Sequence, residues 1–308
     1  MKLRISQCLF IFSLIFDASQ YVSAQTAEEF LKLARERFET KEFFRALDYL
    51  DESLKLNPKY AEAYFLKGLA EFNLQNTVGA IENFNSAIRL NPEYLEAYFN
   101  RGLLKAGLQK YEEAIPDFDK VLAKKAIPVV FEQRGLAHFQ LQKSDLAEQD
   151  FQNALKLDPK LNKSFYFLGL IDFNRAEYEQ ALNLLGKAIT LKADYEDAYS
   201  LRVQIYLQIQ DSLHALEDYG HLIQLNPYNW NAYLNRGKIN FYLGNYQESL
   251  PDFERLIAKQ PENPEAYFFR GRIFQSLNKL SDACKDWQKA QQLGHSEATS
   301  FREKFCKE

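Results

Sequence analysis

The 308-residue sequence is sparing with the side chains that most often carry chemistry. It has three cysteines and four histidines, and a formal net charge of -4. An acidic balance with scattered cations argues against nucleic acid as a partner, because such binders carry a basic surplus that replaces counterions on phosphate. Of His138, His214, His221 and His295, only His214 and His221 fall two turns apart on one helix. No cysteine accompanies them, so no metal site is expected. There is neither a glycine-rich phosphate loop nor a GxSxG nucleophile elbow. The many carboxylates suit helix starts and solvated faces. No catalytic residues, no cofactor and no small-molecule substrate are expected: the chain reads as a non-enzyme.

Long apolar runs are also scarce. Cys8 to Phe16, "CLFIFSLIF", is nine residues long, against about 20 for a helix that crosses a bilayer. With Lys2 and Arg4 before it and "VSA" at 22–24 after it, residues 1–24 have the layout of a secretory signal peptide. Cleavage near Ala24 is expected to leave an exported chain, 25–308, periplasmic or secreted, with no stable membrane insertion. Cys8 lies inside the run and away from the cleavage point, which disfavours a lipid-modified cysteine. Cys284 and Cys306 remain, the number that makes one bridge in an oxidising compartment. A disulfide is favoured over two unpaired thiols.

What the chain has in abundance is self-similarity. "AYFLKG" at 63 and "AYFNRG" at 97 lie 34 residues apart, as do "AYSLRV" at 198, "AYLNRG" at 232 and "AYFFRG" at 266. Such periods mean a stacked array. Eight units start at 27, 61, 95, 128, 162, 196, 230 and 264. Position 4 is aromatic in all eight, position 8 is glycine in six, position 20 is alanine or serine, and position 24 is large, as in Phe84, Phe118 and Trp287. Positions 4, 7 and 8 share one face of a first helix, and 20, 24 and 27 one face of a second. Small residues at 8 and 20 let the backbones approach while the aromatics fill the space beside them. Asn-Pro or Asp-Pro at 57, 91, 158 and 226 ends the second helix. Each unit is then an antiparallel helical hairpin that buries its faces by stacking on its neighbours.

This pattern, closed by proline at position 32, resembles the tetratricopeptide repeat (TPR) family, exported bacterial type, over residues 27 to 297. The resemblance implies an all-α fold, an α-solenoid superhelix of eight TPR-like hairpins, and a C-terminal capping helix is expected at about 298–306, "ATSFREKFC". Departures are local: "KKAIP" ends the third unit, Ala193 and His295 replace turn prolines, and Val203 replaces a glycine. Pro116 and Pro251 fall inside second helices, where each removes an amide donor and is expected to bend the helix.

In the family, first helices line a concave groove through positions 2, 5, 9, 12 and 13. Here those positions carry Phe65, Leu69 and Phe72, then Phe99 and Leu103, then Leu136 and Phe139. They continue with Tyr166, Leu170 and Phe173, and end with Leu234 and Phe241. Such a groove suits a partner helix or peptide, unless curvature buries some of these residues against one another. A scaffold that binds a protein or peptide of unknown identity is the favoured function; a structural or assembly component of the cell envelope, contacting partners through its outer surface, is the alternative. The family's clamp for a C-terminal carboxylate is unsupported. Asn100 and Asn235 stand at position 6, but the flanking Lys-5/Asn-9 and Lys-2/Arg-6 pairs are missing.

One feature is polar. Arginine occupies position 7 as Arg101, Arg134, Arg202, Arg236 and Arg270, and the same five units carry Asp117, Asp150, Asp218, Asp252 and Asp286 at position 23. The other three units lack both residues. Covarying positions usually touch, and a guanidinium fork matches a carboxylate with two hydrogen bonds. A structural ion pair is favoured over direct ligand binding.

Overall fold

The computed structural model describes residues 26–306; the segment 1–24 expected to be a signal peptide, with Cys8, lies outside them. Helical hairpins succeed one another along the chain. They are α1 (Ala27–Glu39) with α2 (Phe43–Leu56), α3 (Ala61–Asn73) with α4 (Thr77–Leu90), α5 (Leu95–Gly107) with α6 (Tyr111–Leu122), and α7 (Pro128–Gln140) with α8 (Ser144–Leu157). Then come α9 (Asn162–Asn174) with α10 (Tyr178–Leu191), α11 (Glu196–Gln208) with α12 (Ser212–Leu225), α13 (Trp230–Tyr242) with α14 (Tyr246–Lys259), and α15 (Pro264–Ser276) with α16 (Leu280–Gln292). A short α17 (Ala298–Phe305) follows. The expected all-α solenoid of eight hairpins and a terminal helix is observed, and no strand occurs among the described residues.

The glycine at position 8 sets the spacing inside a hairpin. A Cβ on Gly102 would sit 2.8 Å from the Phe118 ring, one on Gly135 3.0 Å from Phe151, and one on Gly271 2.6 Å from the Trp287 indole. Those rings are fully buried, as are the alanines at position 20. Removing such a ring would cost roughly 3–5 kcal/mol. Helices α6 and α14 run without interruption through Pro116 and Pro251.

The turn inside each hairpin uses one device. Position 15 has positive φ in all eight: Lys41, Gln75, Gln109, Gln142, Ala176, Gln210 and Asn278 near 60°, and Gly244 at 79°. The turn between hairpins uses another. The Asn57, Asn91, Asp158 and Asn226 side chains accept the amide two residues on, at 2.9–3.1 Å, which explains why Asn or Asp precedes the proline.

The chain divides into two compact units, one ending at Leu157 and one beginning at Asp158. Each holds four hairpins, and a stack in which hairpins touch only neighbours has no single shared core. Within each unit the nearest approaches between helices not consecutive in the chain are between first helices: α1 with α3, α5 with α7, α9 with α11, and α13 with α15. First helices therefore form the tighter side of each stack.

At the end of the second unit α17 covers the last hairpin. Phe301 packs on Phe268 and Trp287, with ring centroids 5.1 and 5.3 Å apart, and Phe305 lies 5.9 Å from Trp287. A disulfide joins Cys284 on α16 to Cys306, 22 residues later. Cross-linking a loop of that length adds about 3 kcal/mol in the chain-entropy model.

A test follows from position 15. Left-handed backbone costs an L-residue about 1–2 kcal/mol, so Ala176→Gly is expected to raise the midpoint of urea unfolding of the second unit and Ala176→Val to lower it.

Candidate functional site

The charged residues at positions 7 and 23 come together in every unit that has them. Arg101 on α5 donates from Nε to Asp117 Oδ2 at 3.0 Å and from Nη2 to Oδ1. The corresponding Nε distances are 2.9 Å for Arg134–Asp150, 2.7 Å for Arg202–Asp218, 2.9 Å for Arg236–Asp252 and 2.7 Å for Arg270–Asp286. The aspartates are almost fully enclosed, 1–5% exposed. Hydrogen bonding to Asp150, Asp252 and Asp286 holds the Arg134, Arg236 and Arg270 guanidiniums above the ordinary arginine value. Each pair ties a first helix to the second helix of its own hairpin, with both acceptor oxygens used.

The first unit surrounds these pairs with further contacts. Lys105 also donates to Asp117, at 2.9 Å. His138 occupies the matching place in the next hairpin, its Nε2 3.9 Å from Asp150 and its buried Nδ1 without a hydrogen-bond partner. Burial lowers the His138 pKa, with Asp150 opposing that shift.

The apolar positions of the first helices divide by exposure. Phe72 projects into solvent, 50% exposed. Phe65, Leu69, Phe99, Leu103, Leu136, Phe139, Tyr166, Leu170, Phe173 and Leu234 are half-buried. Several lean on second-helix or turn aromatics: Phe65 on Phe84 and Tyr94 at 5.7 and 4.8 Å, Tyr166 on Tyr195 at 5.2 Å. Phe241 is a correction. It is 7% exposed, with Phe269 at 5.5 Å and the Arg272 guanidinium 4.5 Å above its ring. Position 12 there faces the next first helix and offers no surface to a partner.

Three apolar residues escaped the sequence reading. Tyr242 is 69%, Leu207 43% and Val129 41% exposed. They stand at positions 13, 12 and 2, and Leu207 was obscured because Ser200 and Gln204 make the rest of its helix face polar. Among the described residues, no group of three histidines, cysteines or acids is placed to hold a metal, and no helix is long and apolar enough to cross a membrane.

Hairpins stacked through their faces, with apolar residues left on the first helices, have the architecture of a protein-interaction scaffold. Three models described as tetratricopeptide repeat match the sequence, one over residues 31–92 and 79–128, one over 130–161 and one over 203–273. Together they span more than half of it, and the chain belongs to the tetratricopeptide repeat family, whose fold generally serves as a non-catalytic scaffold. No curated protein matches the sequence.

Solved structures agree on the fold. A tetratricopeptide repeat protein from Parabacteroides merdae aligns with a TM-score of 0.53 at 18% identity, over 80% of this chain and 99% of that one. PilW, described as a widely conserved type IV pilus biogenesis factor, aligns at 0.56 and 21% identity, over 67% and 96%. YrrB, described as a TPR protein with an unusual peptide-binding site, aligns at 0.52 and 20% identity, over 59% and 95%.

Two outcomes test the polar network. Asp117→Leu strands two cations in the seam and is expected to destabilise the first unit by roughly 3–5 kcal/mol; an unchanged melting temperature would remove the structural role. His138 titrates near 6.5 when unfolded and lower when folded. Its contribution is complete above that value and is lost as pH falls below it, where the unfolded chain takes up the proton first. From pH 8 to pH 5 the wild-type melting temperature should fall more than that of His138→Gln.

Proposed function

We propose that the chain is an exported, non-catalytic scaffold that takes up a helix or extended segment of a partner protein on the apolar face of its first helices. The observation that carries this reading is the row of half-buried residues on α3, α5 and α7, with Phe72 standing clear of it at 50% exposure. Their inner edges pack on the hairpin core and their outer faces are free to lose water against a ligand, the arrangement of a helix-in-groove site. In the second unit Tyr166, Leu170, Phe173 and Leu234, with exposed Tyr242 and Leu207, supply the same chemistry. The peptide-binding site for which YrrB is named is consistent with this use of the fold. Export is supported by the Cys284–Cys306 bridge and by the leader-like pattern at 1–24.

An assembly role through the outer surface has support of its own. Phe44, Val78 and Leu213, all at position 18 on second helices, are 67–74% exposed, and PilW is named for pilus biogenesis.

Photo-crosslinkers placed at Phe72 and at Phe44 separate the two. The groove reading expects capture of a defined envelope protein from position 72, abolished by Phe99→Asp in a chain whose melting is checked. Capture from 44 alone would transfer the function to the outer surface.

A further inference from the structure

The position-7 cation does more than bind its own aspartate. In the first unit it also reaches back to position 25 of the preceding second helix. Lys67 bonds Asp51, Arg101 Nη1 donates to Asn85 Oδ1 at 2.6 Å, and Arg134 Nη1 to Asp119 Oδ1 at 2.5 Å. The chain thus shows which group suits this place: the oxygen of a carboxylate or a carboxamide.

In the second unit that oxygen is missing at two successive hairpins. Position 25 is Gly186 below Arg202 and Gly220 below Arg236. Both arginines bind their own aspartate through Nε and Nη2, and Nη1 has no hydrogen-bond partner among the described residues. A Cβ on Gly220 would lie 4.0 Å from Arg236 Nη1 and touch nothing else, and one on Gly186 would meet nothing within 4 Å. Both glycines are therefore clearings on the second-helix side, away from the apolar first-helix face.

Charges of both signs surround these points: Glu217 stands one turn before Gly220 on the same helix, and Glu254 adjoins Arg255. Arg255 lies over the Tyr233 ring at 5.3 Å, beside Arg236 at 5.9 Å over the same ring. Lys187 lies over Phe165 at 5.7 Å. Arg255 and Lys187 are exposed. His221 stacks on Tyr199 at 5.0 Å. What favours an anionic group here is the unbonded Nη1 edge itself, the edge that Asp119 and Asn85 fill elsewhere in the chain.

We propose that Gly220 and the free edge of Arg236 form a docking point for the carboxylate of an Asp or Glu side chain on an acidic segment of a partner protein, and that Gly186 with Arg202 forms an equivalent point one hairpin earlier. The incoming carboxylate takes the place that Asp119 fills on Arg134. Two such points at the repeat spacing suit a segment with several acids, held by charge-assisted hydrogen bonds. This surface is separate from the groove and stands or falls independently of it.

The test uses the full exported chain, a fluorescein-labelled hexaglutamate peptide and fluorescence anisotropy at low ionic strength. Gly220→Asn copies Asn85, blocks the guanidinium edge and leaves the charge unchanged, so it should weaken binding about tenfold, the loss of one charge-assisted bond. Gly220→Ala leaves the edge open and should bind like the wild type. Gly220→Asp, copying Asp119, should bind least and melt highest. Wild-type affinity should fall as salt is added. The proposal is overturned by wild-type protein that does not bind the peptide, by Gly220→Asn binding as well as Gly220→Ala, or by a thymidine 12-mer that binds in preference to the peptide.

Discussion

A large side chain at position 24 packed against position 8 is the contact on which the rest of this molecule depends, and in five of the eight hairpins it is a ring against a glycine. With Gly102 under Phe118, Gly135 under Phe151 and Gly271 under Trp287, there is no room for even one methyl group between the two helices. That approach brings position 7 of the first helix opposite position 23 of the second. An arginine there must meet whatever the second helix presents, in a seam from which water is largely excluded. Aspartate on the far side resolves the burial of both charges at once. Where leucine takes position 7, as Leu168 does, it is 6% exposed and the seam is apolar instead.

Stacking then decides which surfaces are left for other molecules. Because first helices approach one another more closely than second helices do, residues at positions 5 and 9 are squeezed to half-burial and those at position 12 are placed case by case. Phe72 is left in solvent, whereas Phe241 is covered by Phe269 and Arg272. On the second-helix side, Asn85 and Asp119 at position 25 engage the arginine of the next hairpin, whereas Gly186 and Gly220 offer it no side chain. One repeated scaffold can thus present chemically different positions on its two sides, because the positions outside the hairpin core are free to vary.

Much of this was legible in the sequence because the period is long, regular and repeated eight times. The hairpins, the buried ring at position 24 and the pairing of Arg101 with Asp117 all follow from which positions must touch. The burial of Phe241 was not legible. It depends on Phe269 and Arg272 of the following unit, whose ring and guanidinium cover it. The left-handed turn at position 15 was equally hidden: Gln75, Gln109, Gln142 and Gln210 adopt it with only Gly244 and Asn278 showing the usual residue types. The backward reach of position 7 to position 25 crosses from one hairpin to the next, and a comparison made within single units does not expose it.

The central claim is that the repeated arginines build the array and do not recognise a ligand through their aspartate-binding edges. A double-mutant cycle across Arg236 and Asp252, measured by equilibrium unfolding, tests it most directly. Arg236→Leu and Asp252→Leu should each destabilise the second unit, and the double variant should recover much of the loss, leaving a coupling energy of about 1–3 kcal/mol. Additive losses, with no coupling between the two positions, would contradict the account.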